Sequence, residues 1–188
     1  MKIYNKSYFL LLSSVLFTIA CKPKPLAIEE VTPLVNSQLG YPKIVATKFY
    51  LEDCTIYKGS FISANKPLVM AVLVRQTGKN TFGGCMFWSM TDEGKKYVLG
   101  ELYTAKDDLG NDIGKCVNVI DYTIEVNGND GRTAIDSKHF TETINFTKTY
   151  SPFGKNKFSL THDGEYKDEF IKETVHFVYD DGKWRCYK

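Results

Sequence analysis

Three histidines are the first residues to consider for chemistry, because imidazole titrates near neutral pH and ligates metals. They are His139, His162 and His176, and no two of them have the spacing of a helical H-E-x-x-H zinc site. The sequence also has no G-x-S-x-G nucleophile elbow, P-loop or dinucleotide-binding glycine motif. We therefore predict no catalytic residue, and we expect neither enzymatic activity nor a cofactor.

Cysteines and carboxylates are the other groups that could hold a metal ion. Cys54, Cys85, Cys116 and Cys186 are scattered singly, without the C-x2-C pairs that structural zinc sites use. The segment 107–112 (DDLGND) is rich in oxygen ligands, but it lacks the D-x-[DN]-x-[DN]-G order of a calcium loop. We predict a solvated loop there and no metal site.

Residues 1–20 predict a signal peptide. Lys2 and Lys6 form a short basic region, and Phe9 to Ala20 is an uncharged run. The run suits the apolar part of a signal peptide but is short for a membrane helix, which needs about 20 apolar residues. We therefore expect the chain to be exported.

The end of this segment, Thr18-Ile19-Ala20-Cys21, resembles the lipobox of bacterial lipoproteins. Thr18 replaces the usual leucine, as in the relaxed, spirochaete-like form of the motif. The resemblance implies that Cys21 is acylated and anchors the protein in the lipid bilayer, since two or three acyl chains give stable attachment. The alternative is an ordinary secretory signal that is cut at the same place and leaves Cys21 unmodified.

The segment after Cys21 predicts a tether over residues 21–30. Lys22-Pro23-Lys24-Pro25 cannot bury apolar surface and favours an extended conformation. Lys22 is not the aspartate that retains lipoproteins at the inner membrane, which favours the outer membrane, with the domain facing the cell surface or the periplasm. Residues 31–188 are long enough for one domain.

Charge gives no indication of a nucleic-acid partner. The 24 basic residues include Lys2 and Lys6 of the signal segment, so its removal leaves as many basic residues as the 22 acidic ones. A neutral mature chain lacks the basic footprint of nucleic-acid-binding proteins.

With Cys21 acylated, the other four cysteines are an even number, which predicts two disulfides in an exported protein. The pairing among Cys54, Cys85, Cys116 and Cys186 stays open. Cys116 has the strand phase of Ile120 and Tyr122, and Cys186 has that of Trp184, so we expect both to point inward.

The body of the chain has the pattern of β-strands. Residues 117–127 and 139–150 alternate apolar and polar side chains, although Glu142 interrupts the apolar face of the second segment. The run 68–74 (LVMAVLV) is apolar throughout, which predicts a central strand covered on both faces. Predicted strands are 44–51, 67–75, 85–91, 97–105, 116–127, 132–136, 139–150, 157–161, 170–179 and 183–187. Only residues 26–39 have helical spacing, and Pro33 is expected to interrupt that helix.

Short turn signals separate these segments. They lie at 77–80, 91–94, 127–131, 162–164 and 180–182. Many short strands with tight turns predict a mainly β fold, an antiparallel β-sandwich or barrel with little helix. As an alternative, the hairpin 175–185 resembles the closing strands of NTF2-like lipoproteins, whose last strand often reads G-K-W-[KR], and this resemblance implies an α+β NTF2-like fold.

One face of the segment 139–150 carries a row of short polar side chains. The row consists of Thr141, Thr143, Asn145, Thr147 and Thr149. The simplest interpretation is a solvated sheet face, because threonine has a high β-propensity; the alternative is a binding face for a partner. We therefore expect a membrane-anchored lipoprotein that displays a non-enzymatic β-rich domain and binds a protein or matrix partner, or alternatively a carrier of a small apolar ligand.

Overall fold

The structure is a computed structural model that describes residues 24–53, 60–79, 85–161 and 167–188. The predicted signal peptide, Cys21, Cys54 and the predicted turn at 162–164 lie outside these residues. The helices described are α1 (Ile28–Leu39), α2 (Ser60–Met70), α3 (Asp92–Lys95) and α4 (Pro152–Thr161). The strands are β1 (Lys43–Tyr50), β2 (Glu52–Asp53), β3 (Val74–Lys79), β4 (Met86–Met90), β5 (Val98–Lys106), β6 (Asp112–Ala134), β7 (His139–Tyr150), β8 (Glu169–Asp180) and β9 (Lys183–Tyr187).

The strands form two antiparallel sheets. The large sheet has the order β1-β6-β7-β8-β9, with β5 paired to β6, and the small sheet has the order β2-β4-β3. The large sheet is curled into a half-barrel. The prediction of a mainly β, antiparallel fold is therefore confirmed.

Irregularities in β6 account for the curl of the large sheet. The register of β6 with β7 shifts between Val126 and Gly128 and again between Asp130 and Arg132. Gly131, the extra residue at the second shift, has φ +62°, a left-handed conformation that glycine adopts without strain. Such bulges bend and twist a strand without ending it. The turn predicted at 127–131 is therefore wrong, and the strands predicted at 116–127 and 132–136 belong to one long strand.

A further bulge reverses the alternation of side chains along β6. Val45 of β1 lies opposite Tyr122 and Ala46 lies opposite Ile120, so Asp121 is the extra residue. Because the alternation restarts there, Ile120 and Tyr122 point to opposite faces of the sheet. The prediction that they share a face is wrong, and Val119, which is fully buried, points inward instead.

The side of the large sheet that α1 covers, called the inner face below, holds the first core. Val31 and Val35 of α1 are fully buried, one helical turn apart, and pack against the inner side chains of the sheet. These side chains are Phe140, Ile144, Phe146, Val175, Phe177 and Cys186. The helix predicted in 26–39 is confirmed, and Pro33 lies inside it without ending it.

Two of the predicted strands are wrong, because helices occupy their place. These helices border a second core, which is described below. Part of the predicted strand 67–75 belongs to α2, and the predicted strand 157–161 belongs to α4. Within the first segment Leu68 is buried, but Met70 is 74% exposed, so its apolar run is not covered on both sides. A short apolar run fits a helix as well as a strand, and periodicity alone cannot separate them.

Side-chain capping shows why α4 begins where it does. Ser151 Oγ accepts a hydrogen bond of 3.1 Å from the backbone N–H of Gly154, and Pro152 occupies the first helical position, where its missing N–H has no consequence. Leu68 of α2 and Phe153 of α4 then share the second core with Phe49 and Val119 of the large sheet.

The remaining turn signals have different outcomes. The turn at 180–182 is confirmed, since Asp181 and Gly182 have positive φ and join β8 to β9 as a tight hairpin. Residues 92–95 form α3 instead of a turn, with Thr91 as its capping residue. Gly78 lies at a register shift within β3, and Asn80 lies outside the described residues.

Candidate functional site

The polar row of β7 lies on the other side of the large sheet, called the outer face below. Thr141, Thr143, Asn145 and Thr147 are half-buried, and Thr149 is exposed. The residues that alternate with the first four are buried on the inner face. β7 lies between β6 and β8, so the row has neighbours on both sides. The structure thus brings these five residues, called the threonine row below, together on one surface.

An ion pair crosses the threonine row. Asp130 lies opposite Thr143 on β6, and Lys172 lies opposite Asn145 on β8. The Nζ of Lys172 is 2.8 Å from Oδ2 of Asp130. Hydrogen bonds from Lys172 and then Asn145 hold the pKa of the Asp130 carboxyl below its usual value. The row therefore carries an ionised carboxylate and an ammonium group at a defined position.

Aromatic side chains flank the threonine row on β8 and β9. Phe170 lies opposite Thr147 and is 76% exposed. His176, opposite Thr141, stacks on Tyr187 with ring centroids 5.3 Å apart and planes 8° from parallel. Exposed aromatic residues are enriched at protein interfaces. The outer face therefore combines the threonine row with aromatic rings that can make apolar contacts.

The N-terminal segment is held on the inner face. The indole Nε1 of Trp184 donates a hydrogen bond of 3.0 Å to the carbonyl of Lys24. The guanidinium of Arg132 donates one of 2.7 Å to the carbonyl of Leu26, whose side chain is buried in the first core. Cys21, three residues before Lys24, lies outside the described residues. Part of the predicted tether thus packs on the domain.

Glu142, which interrupts the apolar face of β7 in the sequence, completes this attachment. It is 2% exposed, and its Oε2 lies 2.9 Å from Nε and 2.8 Å from Nη2 of Arg132. Asn129 donates a further hydrogen bond to the same carboxylate, and the guanidinium lies 4.0 Å from the centre of the Phe140 ring. In the sequence, the only sign of this network is that the charged Glu142 occupies an apolar position of the alternation. Sequence reasoning therefore missed the network itself.

An open groove follows the attached segment along α1. Its volume is about 740 Å³, and Pro33, Leu34, Tyr179 and Trp184 contribute to its walls. The groove therefore lies beside the point at which the chain leads back toward Cys21.

The cysteines differ from the expected two disulfides. Cys116 and Cys186 are free thiols. Cys186 lies opposite Phe177, Phe177 opposite Phe140, and Phe140 opposite Ala134, near the end of β6. Cys116 lies near the start of that long strand, whereas a disulfide needs Cα atoms within about 7 Å. The prediction of a disulfide at each of these cysteines is therefore wrong.

Cys85 precedes β4 and is disulfide-bonded. Its pairing stays open, because Cys21 and Cys54 lie outside the described residues.

Cys116 also points to the face opposite to the one expected. It is fully buried on the outer face, between Tyr50 of β1 and Tyr103 of β5. A hydrogen bond with Cys116 is the main cause that raises the pKa of Tyr103 to about 12. The inward orientation is wrong for Cys116 and confirmed for Cys186, which lies in the first core.

The two histidines that the structure describes, His139 and His176, have separate partners. Nδ1 of His139 lies 2.8 Å from the carboxylate of Asp136 in an exposed pair, while His176 stacks on Tyr187. His162 lies outside the described residues. Within the described ranges, no group of three or more histidine, cysteine or acidic residues could hold a metal ion.

Comparisons with known proteins add no relative. No protein-family model matches the chain, and no curated protein or solved structure matches it. Among the described residues, no helix is long and apolar enough to cross a membrane.

Proposed function

We propose that this chain is an exported bacterial lipoprotein, anchored in the outer membrane through acylated Cys21. Its β domain binds a protein or matrix partner through the threonine row, without enzymatic chemistry. The motif Thr18-Ile19-Ala20-Cys21 supports the anchor. The arrangement of the two faces of β7 supports the binding role.

The observation that carries this proposal is the alternation at Glu142. Its side chain points to the inner face, where Arg132 links it to the carbonyl of Leu26. Thr141 and Thr143, its neighbours in sequence, point to the outer face. The segment that leads to Cys21 and the threonine row therefore lie on opposite sides of one sheet, so an anchored domain presents the row away from its attachment.

The chemistry of the outer face suits a protein-like partner. Threonine side chains are stiff at χ1, so binding orders them at little entropic cost. The pair of Asp130 and Lys172 offers a fixed donor and acceptor. Phe170, which is exposed, can supply the apolar contact that usually dominates binding energy.

Site-specific photo-crosslinking in intact cells tests the binding role. A p-benzoylphenylalanine at Thr143 should give a discrete adduct with one partner, whereas the same residue at Leu109 should give none. Leu109 is 86% exposed and lies in the loop after β5, so it controls for exposure alone. Adducts of equal yield at both positions, or no adduct at Thr143, would contradict the proposal.

The alternative function, carriage of a small apolar ligand, is favoured by a different observation. A cavity of about 200 Å³ lies between the large sheet and the helices α2 and α4. The residues that line this cavity favour a more specific class of ligand.

A further inference from the structure

The cavity beside α2 and α4 has apolar walls. Phe49 of β1, Val119 of β6, Leu68 of α2 and Phe153 of α4 line it. All four belong to the second core and are buried. An apolar cavity of about 150 Å³ is large enough to bind benzene in a folded protein. A volume of about 200 Å³ therefore admits one ring or a short alkyl chain.

Asn65 of α2 places an unused hydrogen-bond donor at this cavity. The residue is 4% exposed and lines the cavity. Its Nδ2 is buried and has no hydrogen-bond partner. Buried polar groups are nearly always paired, because an unpaired one loses its interaction with water. An acceptor that binds in this cavity would therefore satisfy the Nδ2 donor of Asn65.

The charged side chains around the cavity favour an anionic acceptor. Among the residues that the structure describes, Lys48 and Lys157 line it and no carboxylate does. Lys157 contacts Asp121 at 3.0 Å and Thr47 at 3.3 Å. Asp121, which does not line the cavity, thus balances the charge of Lys157. The charge of Lys48 then makes the lining positive. Both lysines are exposed residues, so the cavity reaches the surface on this side.

We propose that this cavity binds a small carboxylic acid with an apolar body of one ring or about six carbons. The apolar body packs among Phe49, Leu68 and Phe153, and the carboxylate accepts a hydrogen bond from Nδ2 of Asn65 on the basic side of the cavity. The site shares no residue with the threonine row and needs no acyl chain. It therefore does not depend on partner binding or on lipid attachment.

Titration of the purified full chain with benzoate and with hexanoate, followed by protein NMR, tests this site. Both acids should bind saturably and shift resonances of Phe49, Leu68 and Phe153. Toluene, which fills the same space without an acceptor, should bind at least about tenfold more weakly than benzoate. If neither acid shows saturable binding at millimolar concentrations, the proposal is overturned and the cavity holds only water.

Asn65→Leu separates recognition of the carboxylate from simple filling of the cavity. The variant should lose at least about tenfold in benzoate affinity, keep its affinity for toluene, and melt at a higher temperature without ligand. Asn36→Leu is the matched control, because Asn36 also has an unpaired buried amide atom but lies on α1, away from the cavity. Unchanged benzoate affinity in Asn65→Leu, or an equal loss in Asn36→Leu, would refute the site.

If Asn65→Leu fails to fold, Asn65→Asp gives the same test through charge. An aspartate repels a carboxylate, so benzoate binding should be lost while toluene still binds. Retention of benzoate binding in this variant would overturn the proposal.

Discussion

A β-carbon on Gly154 would lie 2.0 Å from the carbonyl oxygen of Asp121, so α4 rests directly on the backbone of β6. Asp121 is the extra residue of the bulge opposite β1. Its carboxylate lies 3.0 Å from Nζ of Lys157, one turn further along α4. The bulge, the glycine and the ion pair together fix α4 where it forms a wall of the cavity.

Gly154→Ala should therefore destabilise the fold. The added methyl group cannot fit beside the backbone of Asp121, so α4 must move away from the sheet. We expect the free energy of unfolding in urea to fall by about 2 kcal/mol or more. Ser159→Ala, at an exposed position of the same helix, should change it by less than about 0.5 kcal/mol. Equal effects of the two substitutions would show that the close approach is not present.

Removal of the buried carboxylate of Glu142 should be still more costly. Glu142→Ala leaves the guanidinium of Arg132 without its partner, and breaking such a pair typically costs about 3 kcal/mol. The release of the Leu26 carbonyl should also increase amide exchange at the start of α1. Glu125→Ala, at an exposed position of β6, is the control. A loss in Glu142→Ala no larger than in this control would contradict the described network.

Side-chain alternation was the part of the fold that the sequence predicted well. The phase of Phe140, Ile144 and Phe146 correctly identified the buried face of β7. Asp181-Gly182 correctly identified the last hairpin, because this dipeptide suits a turn with two positive φ angles. In both places local chemistry and tertiary structure agree.

The sequence could not reveal the bulges or the helices that cover the second core. A bulge adds one residue and reverses the alternation, so Ile120 and Tyr122 separate although their spacing predicts a shared face. The run at 68–74 spans the end of α2 and the start of β3, and only part of it is buried: Leu68, Leu73 and Val74 enter the second core. The role of Asn65 depends on four elements that meet around it, which no local pattern encodes.

The ion pair across the threonine row gives a pH-dependent prediction. The pKa of Asp130 is below its usual value because Lys172 and Asn145 stabilise its ionised form. Its contribution to stability should be complete above the pKa of an unfolded aspartate and should disappear as the pH falls through the lower folded value. NMR titration should show this low pKa, and Lys172→Met should raise it toward the ordinary value. Lys183→Met, outside the pair, should leave it unchanged, and an unperturbed Asp130 in the wild type would contradict the pairing.

Thiol counting tests the cysteine assignment. Mature protein that is unfolded without reductant should react with a thiol reagent at Cys116 and Cys186 but not at Cys85, as peptide mass spectrometry would show. The folded protein should react slowly, because both residues are buried and burial raises the pKa of the Cys186 thiol. Unreactive Cys116 and Cys186 would mean that both have entered disulfides, and a reactive Cys85 would mean that it is not oxidised.

Metabolic labelling with radioactive palmitate tests the central claim most directly, because the anchor depends on a single atom, the sulfur of Cys21. The wild-type chain should take up the label, Cys21→Ala should lose it, and Cys186→Ala should retain it. Absence of label in the wild type, or label that persists in Cys21→Ala, would contradict the assignment of this chain as a lipoprotein.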